Sequence, residues 1–179
     1  MEAEVTNILV VVDDASDIEK IKSLTSAIEK NGARVEVVIR TEKDVVAWLR
    51  NADSLGEPCS AVLIYEADPQ YNAQRICGAY PKLPIIAIHK HHTGKSAHLA
   101  GETTHIDTGY IRVVGAEKLA KQIVGNANAF KAAHLGGCGA VANNDDLGRG
   151  FLLHHNISDT RLSYGPPFYK TSRRARVPL

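Results

Sequence analysis

Cysteine is scarce and scattered in this chain. The three residues, Cys59, Cys77 and Cys138, are odd in number and far apart, which suits reduced thiols better than a disulfide framework or a cysteine zinc site. Long apolar runs are missing as well. None approaches the ~20 residues a membrane helix requires, so no membrane-spanning segment is expected. The first residues, Met1-Glu-Ala-Glu-Val5, lack the basic start and apolar centre of a secretory signal, and the expected location is cytoplasmic. Asn156-Ile-Ser158 is then a chance match to a glycosylation acceptor. An excess of either charge is also absent: the net charge is +1 over 179 residues, which offers no bulk attraction to nucleic acid or membrane. No repeat is visible at a period of roughly 20–50 residues, which excludes a solenoid or propeller.

What is present is an ordinary globular composition, 44% hydrophobic and 23% charged, enough for one domain with a buried core and an appendage. The charge is unevenly placed. From Phe151 onward five basic residues face one acid, so this stretch is net +4 and the rest is net −3.

The chain is organised around Ile8-Leu-Val-Val-Val-Asp13-Asp14. An unbroken aliphatic run predicts a strand buried on both faces, and a carboxylate pair stands where that strand ends. Ser16 is expected to cap a helix with Ile18, Ile21, Leu24 and Ile28 at helical spacing, stopped by Asn31-Gly32. Val35–Ile39 reads as the second strand. Thr41 and Asp44 resemble a capping box before a helix through Val45, Val46, Trp48 and Leu49. The third strand is Ala61–Tyr65, and Asp68-Pro69 opens a helix running to about Tyr80. Leu83–Ile88 reads as the fourth strand, followed by a weak helix over 95–101. Tyr110–Val114 is expected as the fifth strand, with a last helix from Ala116 to about His134. Strands alternating with helices predict a flavodoxin-like, receiver-like five-stranded parallel sheet of order 2-1-3-4-5, helices on both faces, and an irregular C-terminal extension. The expected division is a receiver-like domain over 1–131, a Gly/Ala/Asn linker over 132–150, and a basic aromatic tail over 151–179.

Four features together carry a resemblance: the element order, Asp13-Asp14 after the first strand, Pro69 after the third, and Gly109-Tyr110 entering the fifth. Over about residues 5–131 the chain resembles the receiver domain of bacterial response regulators. The resemblance implies an acidic pair that helps hold magnesium and an aspartate ending strand three that takes phosphate from a histidine kinase. It also implies a Thr or Ser ending strand four and a Lys ending strand five, which read the phosphorylated state. Asp13 and Asp14 supply the acidic pair. The acceptor position falls on Tyr65, and the two switch positions fall on His89 and on Val113 or its neighbour Val114. Tyrosine has no carboxylate with which to form an acyl phosphate, and valine cannot neutralise a phosphoryl group. The chain thus resembles a degenerate, pseudo-receiver form. A one-residue slip would make Glu66 the acidic group at the acceptor position.

Other motifs are weaker. Asp13, Asp14 and Glu66, with Asp68 nearby, could form a vestigial magnesium site, since hard cations take oxygen ligands; otherwise Asp68 is a helix cap and Glu66 a solvated acid. No other cofactor is expected. His89-Lys-His91-His92, with His98 and His105 nearby, has no cysteine near it and reads as a polar loop rather than a zinc set. Thr93-Gly94-Lys95-Ser96 ends like a phosphate loop, but His89 stands where such a loop needs its first glycine, so Thr93 is expected to cap a helix. No serine lies in a nucleophile turn, and Cys59 and Cys77 read as isolated thiols. No enzymatic activity is expected.

The functional expectation is a phosphorylation-independent interaction or assembly module in signalling or regulation. Its partner would be another protein or a second copy, reached through the face of the fourth helix, fifth strand and fifth helix. Phe151, Tyr164, Phe168, Tyr169, Arg173, Arg174 and Arg176 would form the docking tail. Two alternatives stand beside it. One is a nucleic-acid-associated regulator using the same arginines and rings. The other is an accessory domain resembling the N-terminal wing of bacterial amino-acid decarboxylases.

Overall fold

A computed structural model describes residues 5–91, the backbone of 97–100, and 103–135. Its elements are β1 (Thr6–Val12), α1 (Ser16–Lys20), α2 (Lys22–Lys30), β2 (Ala33–Ile39), α3 (Val45–Ser54), β3 (Cys59–Glu66) and α4 (Gln70–Ala79). They continue with β4 (Ile85–His89), β5 (Ala97–Ala100), β6 (Thr103–Asp107), α5 (Thr108–Val114) and α6 (Ala116–His134).

The aliphatic run of β1 is fully enclosed, with Ile8 to Val12 all at 0% exposure. Its pleat sends Ile8, Val10 and Val12 into one core with Leu24 and Ile28 of α2 and Leu119 and Ile123 of α6. Leu9 and Val11 enter a second core with Leu49 of α3 and Ile76 of α4. Successive residues of a strand point to opposite faces, so a strand covered on both sides must be apolar throughout. β2, β3, β4 and β6 join β1 as parallel strands. Together they form a five-stranded parallel sheet of order 2-1-3-4-5, a flavodoxin-like α/β fold. β5 adds a sixth strand, antiparallel to β6, at the edge of the same sheet.

The fifth parallel strand is not where the sequence placed it. Tyr110–Val114 lies in helix α5, and the strand is Thr103–Asp107. A short apolar run fits a buried strand or a helix equally well. Local capping decides in favour of the helix: Asp107 Oδ1 accepts from Tyr110 N–H at 2.8 Å, and Gly115, at φ 90°, stops α5. The polar letters of Thr103-Thr-His-Ile-Asp107 hid the strand, although all five of these residues are buried. The weak helix expected over 95–101 is likewise corrected, since 97–100 is strand β5. The proposed start of that helix at Thr93 lies outside the described residues.

Helix starts also differ in detail. Ser16 does not cap α1; the N-cap position is Ala15, and Asp14 Oδ1 accepts from Ser16 N–H at 2.8 Å instead. At α3 the cap is Asp44, which accepts from Ala47 N–H at 2.9 Å, rather than Thr41. At α4 the N-cap is Pro69, with Asp68 accepting from Gln70 N–H at 3.3 Å. Among the described residues no helix is long and apolar enough to cross a membrane.

Candidate functional site

In an open parallel sheet the carboxyl ends of the strands converge on one edge, with a crevice where the strand order reverses. Here that point lies between β1 and β3. The strand ends bring charge with them: Arg40 follows β2, Asp13 follows β1, Glu66 ends β3 and Lys90 follows β4. Asp17, in the first turn of α1, is turned inward and fully buried.

Lys90 is the centre of the arrangement. Its Nζ donates to Asp13 Oδ2 at 2.9 Å and also to Asp17 Oδ2, and its side chain is only 10% exposed. The backbone N–H of Lys90 donates to the carbonyl of Glu66 at 3.1 Å, which fixes where the side chain begins. Asp17 takes a second cation, Lys20, at 3.0 Å through Oδ1. The other oxygen of Asp13 faces Arg40 Nε at 2.7 Å, and Asp13 Oδ2 also accepts from Ala67 N–H at 3.1 Å. Both oxygens of Asp13 and both of Asp17 therefore meet cations of the same chain.

Glu66 is buried one step behind this row. Its Oε1 accepts from Asn72 Nδ2 at 2.7 Å, and Oε2, without a hydrogen bond, faces Arg40 at 3.8 Å. The two carboxylates titrate in opposite senses. Burial alone would raise the Asp17 carboxyl, but the bonds from Lys90 and Lys20 outweigh it and hold Asp17 below its usual value. For Glu66 burial prevails over the Asn72 bond and the Arg40 charge, and its pKa rises. Burial pulls the Lys90 ammonium down, yet its bonds to Asp17 and Asp13 win and raise it. Asp14 lies outside the lock; its carboxyl is lowered by the Ser16 hydroxyl and amide.

The expected acceptor position, Tyr65, is the penultimate residue of β3 and is 6% exposed. Its ring packs in the first core, and Lys90 Nζ lies 5.5 Å from the ring centroid, within cation–π range. Burial and the charge of Asp17 raise its phenol. Of the switch positions, His89 does end β4, and its Nε2 is 3.1 Å from Nδ1 of His105 on β6. Val113 is corrected: it lies on α5 at 62% exposure, not at a strand end. The magnesium set is corrected too. Asp13 and Glu66 face Arg40 and Lys90, Asp14 is turned to Ser16, and no group of three or more His, Cys, Asp or Glu among the described residues is placed to hold a metal ion. The tail residues Phe151, Tyr164, Phe168, Tyr169, Arg173, Arg174 and Arg176 lie outside the described residues.

Sequence reasoning missed Asp17, Arg40 and Lys90. A signal existed for the two cations, because each directly follows a strand that flanks an acid-bearing one, Arg40 beside β1 and Lys90 beside β3. Asp17 carried no such mark, since an acid in a first helical turn is commonplace. In chemical terms the site is an ionic lock tying four strand ends to α1, in which the acids are neutralised from within. Neither a family model nor a curated protein matches the chain.

Proposed function

We propose that this chain is a pseudo-receiver, a non-catalytic, cytoplasmic module that acts in signalling or regulation through protein contacts and independently of phosphorylation. The observation that carries this reading is the position of Lys90, shared between Asp13 and Asp17 beside the ring of Tyr65. A phosphoryl acceptor needs a carboxylate oxygen open to an incoming phosphorus and a divalent cation beside it. At this sheet edge a ring stands at the acceptor position, and the neighbouring acids already hold Lys90 and Arg40. A buried pair of this kind also fixes one arrangement of the strand ends, which suits a surface of constant shape better than a switch.

The partner is a second copy of the chain. The segment from Phe151 is net +4 and the remainder net −3, so the arginine-bearing tail of one copy complements the body of the next. Light scattering on the full chain over a range of concentrations tests this. Self-association that weakens with salt and in the R173A/R174A/R176A variant is expected. A monomer at every concentration would overturn the pairing of copies, and salt-sensitive RNA binding lost in the same variant would favour the nucleic-acid alternative.

A further inference from the structure

The sheet ends at β2, and nothing among the described residues pairs with its outer side. Seven residues, Ala33–Ile39, form that edge, and Val37 is 37% exposed on it. Just past the strand, the Arg40 N–H donates to the Val12 carbonyl of β1 at 2.9 Å. Parallel neighbours are bonded through alternate residues, so Val38, Glu36 and Arg34 turn their main-chain groups inward to β1. Ala33, Val35 and Val37 turn theirs outward. An edge with free main-chain groups is a template for another strand. This one carries no proline or lysine to blunt it; its charges are Arg34 and Glu36, half exposed and 3.2 Å apart.

We infer that β2 pairs antiparallel with β2 of a second copy about a two-fold axis through Val35. The inference rests on the reading that the partner is another copy, and it adds the sheet edge to the tail as a contact. Centred there, Val35 meets its counterpart and Ala33 meets the partner's Val37. These are the outward-facing residues, so both sites are hydrogen-bonded pairs. Arg34 then lies opposite the partner's Glu36, and Glu36 opposite the partner's Arg34, at the non-bonded sites where side chains approach most closely. Other registers lose this match. Centring on Glu36 sets that residue against itself, and centring on Val37 sets Arg34 against the partner's Arg40. Charges this exposed add little strength. They fix the register, while main-chain bonds and the covering of Val37 supply the attraction.

The test is sedimentation equilibrium of the full chain, paired with hydrogen exchange at the Val35 and Val37 amides. A dimer is expected, with both amides better protected as concentration rises. V37P removes an outward N–H and no bond to β1, and should weaken the dimer by about tenfold or more. R34E and E36R should each weaken it by about tenfold, and R34E/E36R, which exchanges the charges, should restore it. Circular dichroism shows whether each variant is folded. Attraction between tail and body alone gives a different pattern: R34E strengthens association, E36R weakens it, V37P changes nothing and R173A/R174A/R176A abolishes it. That pattern would overturn the edge pairing and leave the tail contact standing. A monomer at every concentration would overturn both, and protected Val35 and Val37 amides in such a monomer would assign the edge to another segment of the same chain.

Discussion

Lys90 and Asp17 are paired away from solvent: the lysine follows β4, its side chain is 10% exposed, and it meets a carboxylate in α1 that no solvent reaches. The contact joins residues far apart in sequence and serves Asp13 with the same ammonium group. Removing one member of a buried pair leaves the other charged and unpaired, which costs far more than the pair contributes by itself.

Lys90→Met should therefore destabilise the chain by about 3–5 kcal/mol. Urea unfolding measures it. Adding Asp17→Asn to the same chain should recover part of the loss, because the stranded charge goes with it. A loss below about 1 kcal/mol in the single variant, the value of an exposed pair, would show the lock to be superficial.

The acid limb of stability follows from Asp17. Its folded pKa lies below the unfolded value despite burial, because Lys90 and Lys20 prevail. The contribution is thus fully present above the unfolded pKa and is lost as pH falls through the folded one. Asp17→Asn should give a smaller fall in urea midpoint on acidification than the parent shows. An equal fall would place the acid sensitivity elsewhere.

Glu66 should behave in the opposite way. Burial raises its folded pKa, so its contribution is present below the unfolded value and lost as pH rises through the folded one. Glu66→Gln keeps the acceptor for Asn72 and removes the desolvated charge. The variant should match or exceed the parent in stability at pH 8 and lose that advantage near pH 4. A large loss at pH 8 would mean that the 3.8 Å approach of Arg40 outweighs burial.

Tyr65 separates shape from chemistry. If its ring is there to fill the core, Tyr65→Phe should change stability by less than about 1 kcal/mol, whereas Tyr65→Ala should cost about 3–5 kcal/mol. Thermal unfolding of both variants gives the comparison. Similar losses in the two would assign the role to the hydroxyl.

Much of this architecture could be read from local letters. Ile8 to Val12 declared a strand buried on both faces, Gly32 stopped a helix, and Asp13 marked the carboxyl edge of the sheet. The failures have physical causes. Thr103–Asp107 is a strand written in polar residues, and its burial comes from tertiary neighbours that no local window contains. Tyr110–Val114 looked like a strand because a short apolar run carries no period, and a capping bond from Asp107 decided it. The lock was hidden for a related reason: Arg40, Lys90 and Asp17 become neighbours only once β2, β1, β3 and β4 lie side by side.

The most direct measurement is intact-mass spectrometry of the full chain after incubation with acetyl phosphate and magnesium. With Asp13 and Asp17 occupied by Lys90 and a tyrosine ring at the acceptor position, the mass should stay at its starting value. A stable gain of one phosphoryl group on Asp13, Asp14 or Glu66 would contradict the assignment of a phosphorylation-independent module.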